Sequence, residues 1–267
     1  MKAFAYHRPD GLDAAVALMA ASENASLLAG GMTLVPTMKQ RLAAPEYLVE
    51  LSAIPSLSGI TMDGDTLVIG AMTRHADVAG SALVQENLPA LARLAGRIGD
   101  QQVRHRGTIG GSIANNDPAA DYPAAVLALG ADIATNRRSI QADDFFVDMF
   151  ETALEPGEIV TSVRIKLPDC AAYSKFGNPA SRYALAGVFV ARTGGMVRVA
   201  VTGAASSVFR AQDIEAALAG SFEVASLERI SMDASNLMSD IHADSEYRAQ
   251  LVMVMARRAV AMALNAG

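Results

Sequence analysis

The sequence predicts an α+β fold in two parts, and three observations carry that prediction. Helical stripes and short apolar runs alternate through the first 168 residues, a Leu167-Pro168-Asp169 break follows, and three strand-like runs then precede two helices. Domains are accordingly expected at 1–168 and 169–267. With 267 residues, 51% of them apolar and 19% charged, the chain is long enough for a sizeable core.

Taken in order, Leu12, Ala15, Val16 and Met19 recur at helical spacing, with Asp10 as N-cap and Asp13 in the first turn. Residues 26–29 read as a short buried strand ending at Gly30-Gly31, and 32–42 as a helix that tolerates Pro36 only near its first turn. A strand at 47–51 precedes two more at 60–62 and 66–69, which flank Asp63-Gly64, a hairpin signal. Leu88, Leu91, Leu94, Ala95 and Ile98 form a second helical stripe, and a polar link covers 99–106. After Thr108-Ile109-Gly110-Gly111-Ser112, a helix is expected over 121–129 and strands at 132–135, 139–141 and 159–167. Beyond the break, runs at 173–176, 185–192 and 196–203 make a small three-stranded antiparallel sheet. Gly194-Gly195 joins the last two as a turn without a ligand. Helices at 211–219 and from 245 to the C-terminus complete the chain.

Net charge of −6 and a pI near 5.2 argue against a nucleic-acid surface, which needs a clustered basic face. The short basic runs Arg104-His105-Arg106 and Arg137-Arg138 read as solvated loops, although the first lies beside a Gly-Gly segment and is also a candidate for cofactor contact or a subunit interface. A single cysteine, Cys170, excludes an internal disulfide and any Cys-rich iron–sulfur or zinc site, and fits a reducing compartment. No apolar leader region and no run of about twenty apolar residues occurs, so a cytoplasmic chain without a membrane span is expected.

The two segments that suggest chemistry share one design. Ala29-Gly30-Gly31-Met32-Thr33-Leu34 and Thr108-Ile109-Gly110-Gly111-Ser112 each place a Gly-Gly pair after a short apolar run and before a helix. Glycines expose successive backbone N–H groups without Cβ obstruction, the way a chain builds an anion-holding nest, and a following helix N-terminus adds partial positive charge. Two nests suit a diphosphate; either alone reads more readily as a tight turn. Gly-x-Gly-x-x-Gly and Walker-type Gly-x-x-x-x-Gly-Lys motifs are both absent. So are a Gly-x-Ser-x-Gly elbow and a His-Glu-x-x-His metal site, and His75 reads as a general base or, alternatively, as a capping or core residue. A diphosphate grip without a side-chain catalyst implies that a cofactor does the chemistry.

Together the two segments, in this order and roughly eighty residues apart, resemble the FAD-binding medium subunit of the molybdenum hydroxylases, the family of the carbon monoxide dehydrogenase and xanthine dehydrogenase flavoproteins. The opening Phe4-Ala5-Tyr6-His7-Arg8-Pro9, Ile69-Gly70-Ala71-Met72-Thr73, the stretch 117–123 and Gly157-Glu158-Ile159-Val160 extend the likeness over nearly the whole chain. The resemblance implies a two-lobed FAD-binding domain of the vanillyl-alcohol-oxidase/PCMH type followed by a small C-terminal domain. It implies that 29–34 and 108–112 hold the FAD diphosphate, with hydroxyls from Thr33, Thr108 and Ser112. By the same likeness Asp121 holds the FAD, although the residue equally suits an N-cap; Lys175 stands near the flavin; and Tyr183 covers one ring face, with Tyr173 as competitor. Ile98 and Val160 match apolar contact positions. Met32 departs from the Thr, Gln or His of many members; its side chain cannot hydrogen-bond a diphosphate, so backbone N–H groups are expected to do so. The implied partners are a small subunit with [2Fe-2S] clusters and a large molybdopterin-binding subunit, in a dimer of heterotrimers, with electrons passing from the clusters through FAD to NAD, oxygen or another acceptor. Alternatives are a stand-alone flavin-dependent oxidase or dehydrogenase and a non-catalytic FAD-binding module.

Overall fold

A computed structural model describes residues 1–265. The chain opens with β1 (Ala5–His7), α1 (Leu12–Ala20), β2 (Ala25–Leu28), α2 (Leu34–Lys39) and β3 (Tyr47–Glu50). The strands pair in parallel in the order β1-β3-β2, and α1 buries Ala15 in a small core with Val49, Leu51, Ile54, Leu57, Met72 and Ile159. Two expectations change here. Gly11 rather than Asp10 takes the cap position of α1, without a side-chain bond. Helix α2 is shorter than 32–42: residues 32–33 form a turn that leads into it, and Arg41 at φ +66 ends it.

Next come β4 (Ile60–Asp63) and β5 (Thr66–Gly70), closed by a two-residue turn with Gly64 at φ +61. They are followed by α3 (His75–Gly80), α4 (Ala82–Asn87), α5 (Pro89–Gly96), α6 (Gln101–Arg104), α7 (Ile109–Asn115) and α8 (Tyr122–Ala128). Then come β6 (Asp132–Thr135), β7 (Ser139–Gln141), α9 (Ala142–Phe145), β8 (Phe146–Asp148), β9 (Glu151–Thr152) and β10 (Val160–Lys166). Five of these strands form an antiparallel sheet, β4-β5-β10-β6-β7. Its register lines up Ile60, Ile69, Val163, Ile133 and Ile140 in one row across the sheet, the packing that β-branched side chains favour on a pleated face. Helices α3, α5, α7 and α8 supply the opposite side of this largest core through Val78, Leu91, Leu94, Ile109, Ile113 and Val126.

The remaining elements are β11 (Cys170–Gly177), β12 (Ala184–Thr193), β13 (Met196–Thr202), β14 (Phe209–Arg210), α10 (Gln212–Gly220) and α11 (Ser245–Leu264). The expected three-stranded sheet has a fourth strand: β14 pairs Phe209 with Val201 and Arg210 with Ala200. Alternation explains how this sheet serves two cores. Val188, Val190, Val199 and Val201 face α10 and α11, whereas Phe189, Ala191 and Ala200 face the core of the five-stranded sheet. Helix α11 starts at an Asp244 cap that accepts the Tyr247 N–H at 2.7 Å. Its expected continuation through 266–267 lies outside the described residues.

Candidate functional site

The first Gly-Gly follows directly from β2. Parallel pairing carries β2 up to Leu28, whose carbonyl accepts the Leu51 N–H at 3.0 Å, and the chain must then turn away from the sheet edge. Gly31 makes that turn at φ +73, while a Cβ on Gly30 would sit 2.2 Å from the Arg106 carbonyl oxygen. Only glycine fits both demands. As a result the N–H groups of Gly30, Gly31, Met32 and Thr33 find no acceptor among the described residues and stand as four consecutive free donors.

The second Gly-Gly is built differently from the first. Thr108 is the N-cap of α7, and Gly110 and Gly111 are the first turn of the helix itself rather than a turn before it. Their N–H groups are committed: Ile109 donates to the Thr73 carbonyl at 3.1 Å, Gly110 to the Ala71 carbonyl at 2.8 Å, and Gly111 to Thr108 Oγ1 at 3.1 Å. The expectation of a second open nest is therefore corrected. Glycine is needed at 110 because a Cβ would lie 2.5 Å from that of Ala71.

Between the two segments lies a cleft of about 670 Å³. Ala29, Gly30, Gly31, Met32, Thr33, Leu34, Ile98, Thr108, Gly110, Gly111, Ser112, Asp121, Val160 and Tyr183 all line it. Two expected site residues stand one layer back. Ile109 is fully buried in the core. Lys175 does not reach the cleft, because its ammonium spends its three donors on Asp121 at 2.9 Å, the Arg97 carbonyl at 3.1 Å and the Arg182 carbonyl at 3.0 Å.

Asp121 sits at the cap position of α8 but makes no cap bond; its carboxylate is taken by Lys175 and by the Tyr173 hydroxyl. Burial pushes the Asp121 carboxyl above its ordinary value, opposed by the Lys175 ammonium and the Tyr173 hydroxyl. Tyr173 is thereby removed as a competitor for the cleft: it is buried, its hydroxyl is bound, and its ring stacks near Phe189 at 6.1 Å. Tyr183 is half exposed at the cleft, on a loop that Asn178 pins by accepting the Ala180 and Ser181 N–H groups at 2.9 and 3.2 Å. Val160 is presented by the start of β10, which Glu158 fixes through Arg138 at 3.0 Å and Thr135 Oγ1 at 2.8 Å. Those bonds hold the Glu158 carboxyl down to about 2.

His75, read as either a base or a core residue, is buried and also lines the cleft. Burial, then the Arg104 charge, pulls its imidazole down to about 4, so it is neutral near pH 7. Asn115 and Asp117 line the cleft without having been singled out, although the Asn115-Asn116-Asp117 run of short polar side chains was the available signal. The polar link at 99–106 contains the helical turn α6, and Arg104 is tied there by Nη1 to the Ile98 and Gly99 carbonyls, both at 3.0 Å. Arg106 remains exposed. Among the described residues there is no cluster of three or more His, Cys, Asp or Glu able to hold a metal, and no helix is long and apolar enough to cross a membrane.

A sequence profile described as the FAD binding domain in molybdopterin dehydrogenase matches residues 2–168. The chain belongs to that family. Within it, the chain is 37% identical to the carbon monoxide dehydrogenase medium chain of Hydrogenophaga pseudoflava, over 96% of both. It is 34% identical to the nicotine 6-hydroxylase medium subunit of Paenarthrobacter nicotinovorans, over 97% of both. The solved carbon monoxide dehydrogenase from Hydrogenophaga pseudoflava superposes with a TM-score of 0.90 at 36% identity, covering 99% of this chain and 98% of that one. Family membership thus extends from the Gly-Gly segments through the C-terminal sheet and helices.

Proposed function

We propose that the chain is the FAD-carrying electron-transfer subunit of a multi-subunit molybdenum hydroxylase. The observation that carries this reading is the row of four free N–H donors at 30–33 on the wall of a 670 Å³ cleft, in a chain whose relatives are medium subunits of such enzymes. The residues fit the cofactor: consecutive unpaired N–H groups suit a diphosphate, and the volume falls within the roughly 300–1,000 Å³ usual for cofactor clefts. FAD supplies the redox chemistry when bound, taking electrons from clusters on a partner and passing them to NAD, oxygen or another acceptor.

The chain's own residues bind and orient. The backbone of 30–33 grips the diphosphate, with Thr33 and Ser112 hydroxyls beside it; Met32 contributes its N–H and not its side chain. Helix α7 forms the facing wall. Asp121, which lines the cleft and keeps acceptor sites beyond those that Lys175 and Tyr173 occupy, is the acceptor for ribose hydroxyls, Tyr183 covers a ring face, and Ile98 and Val160 give apolar contact. Lys175 acts on the cofactor by holding Asp121 in place. His75, neutral, closes the wall without charge. The finer architecture belongs to the same reading: two lobes of the vanillyl-alcohol-oxidase/PCMH kind on either side of the cleft, with a domain boundary at 168/169, where the family profile ends and β10 gives way to β11. Iron–sulfur clusters and molybdopterin then reside on a small and a large partner subunit, in a dimer of heterotrimers. The single cysteine fits a cytoplasmic setting.

Acid release from the purified complex followed by chromatography is expected to give one free FAD per chain. FMN, or no flavin, would sink the reading. Hydroxylase substrate should bleach the flavin absorbance only when the cluster-bearing and molybdopterin-bearing chains are present. Bleaching by this chain alone at the same rate would make it a stand-alone flavoenzyme. Native mass determination checks the dimer of heterotrimers.

A further inference from the structure

Val147, in the middle of β8, and Met149 and Phe150, on the turn that joins β8 to β9, are 55, 44 and 57% exposed. Single exposed apolar residues are ordinary on a protein surface, but three large ones within four positions make a contiguous apolar tip. The tip is held firmly. Asn116, fully buried directly after α7, donates from Nδ2 to the Asp148 and Glu151 carbonyls, both at 2.8 Å, and its own carbonyl accepts the Phe150 N–H at 3.1 Å. Asp148 Oδ1 adds the Met149 N–H at 2.8 Å. Asn116 adopts φ +42 to make these bonds, and Phe150 is held at φ +57. A left-handed position on an exposed turn suits glycine or asparagine, whereas a bulky ring there is strained and gains no burial within this chain.

Charge narrows what can cover the tip. Asp143 pairs with Arg198 and Arg210, but Asp144 and Glu151, exposed beside the tip, have no ion-pair partner among the described residues. A second copy of this chain would bring one acidic rim against another, so the rim selects against self-association and for a basic neighbour. Position narrows it further. Asn115 and Asp117, on either side of the anchoring Asn116, line the cleft, so whatever docks on the tip lies next to the cleft wall.

Resting on the subunit reading above, we propose that Val147, Met149 and Phe150 form the docking knob for the cluster-bearing subunit, which offers an apolar socket with a basic rim. That subunit is the one that must deliver electrons to the cleft and hence the one whose docking belongs beside its wall. The knob supplies an aromatic and a Met anchor of the kind that carries interface energy, and its rigid turn avoids an ordering cost on binding.

The test uses the full chain, tagged and co-expressed with the cluster-bearing chain of its hydroxylase, alone and together with the molybdopterin-bearing chain. In the variant Met149→Ser/Phe150→Gly, the glycine suits the left-handed turn, so the isolated chain should keep its FAD content and melt at or above the wild-type temperature. Its Kd for the cluster-bearing chain should rise roughly tenfold or more. Glu151→Lys should weaken the same association and flatten its salt dependence. Unchanged Kd in both variants overturns the knob, as does loss of only the molybdopterin-bearing chain. Loss of FAD or of folding in the glycine variant also overturns it, since the residues would then serve the fold. Failure of the wild-type chain to bind FAD or any cluster-bearing chain would bring down the subunit reading itself, a result distinguishable from wild-type assembly that the variants leave intact.

Discussion

At the scale of single residues, two Gly-Gly pairs that look alike in sequence do different work. The first leaves four N–H groups free; the second spends its own on Ala71 and Thr108. Gly30→Ala is therefore expected to lower both flavin affinity, by roughly tenfold, and melting temperature, because its Cβ meets the Arg106 carbonyl. Gly194→Ala meets open space at φ +56 and should cost about 1 kcal/mol of stability with flavin content intact. Fluorescence titration with FAD beside thermal melts separates the two effects. His75 gives a pH prediction. Its folded-state value near 4 lies below the ordinary 6.5, so the unfolded chain binds the extra proton first. The stabilisation is complete above pH 6.5 and is lost as pH falls toward 4, on the order of 3 kcal/mol in all. Urea midpoints at pH 7.5 and 4.5 should converge in His75→Gln relative to the wild type, and an unchanged gap would assign the acid sensitivity elsewhere.

At the scale of elements, the ion pair between α8 and β11 shows what sequence patterns leave hidden. Asp121 and Lys175 are both buried and 2.9 Å apart, so Lys175→Met leaves a carboxylate in the interior and should destabilise by about 3–5 kcal/mol. Asp121→Asn/Lys175→Met should recover much of that loss. Chemical denaturation of both variants checks it, and a double variant no better than the single one would mean that the pair is not a unit. Neither residue announces its partner, because they are far apart in sequence and sit in unrelated patterns. By contrast, periodicity made α1, α5, α11 and the separate strands of the five-stranded sheet legible, though not the order in which those strands pair, since long or alternating apolar patterns record which face is buried. Two-residue β14 has no period to read, and the true end of α2 depends on the left-handed Arg41 just beyond it. The cleft was legible through its Gly-Gly segments. The buried state of Lys175 and the committed donors of α7 were not, because hydrogen-bond partners belong to tertiary packing.

At the scale of the whole molecule, alternation along β12 and β13 places Phe189, Ala191 and Ala200, with Tyr173 of β11, in the same core as Ile69, Val163 and Tyr122. The proposed boundary at 168/169 would thus divide the sequence without dividing this hydrophobic interior. Cutting there should leave neither piece soluble, because each would expose the other's seat; expression of 1–168 in a folded, flavin-retaining form would refute this. The reach of that shared interior bears on cooperativity. Scanning calorimetry of the intact chain should show one endotherm rather than two, with the calorimetric and van't Hoff enthalpies equal. Release of flavin fluorescence on heating should coincide with that endotherm, so that a bound dye at the cleft reports the melting of a helix as distant in sequence as α11.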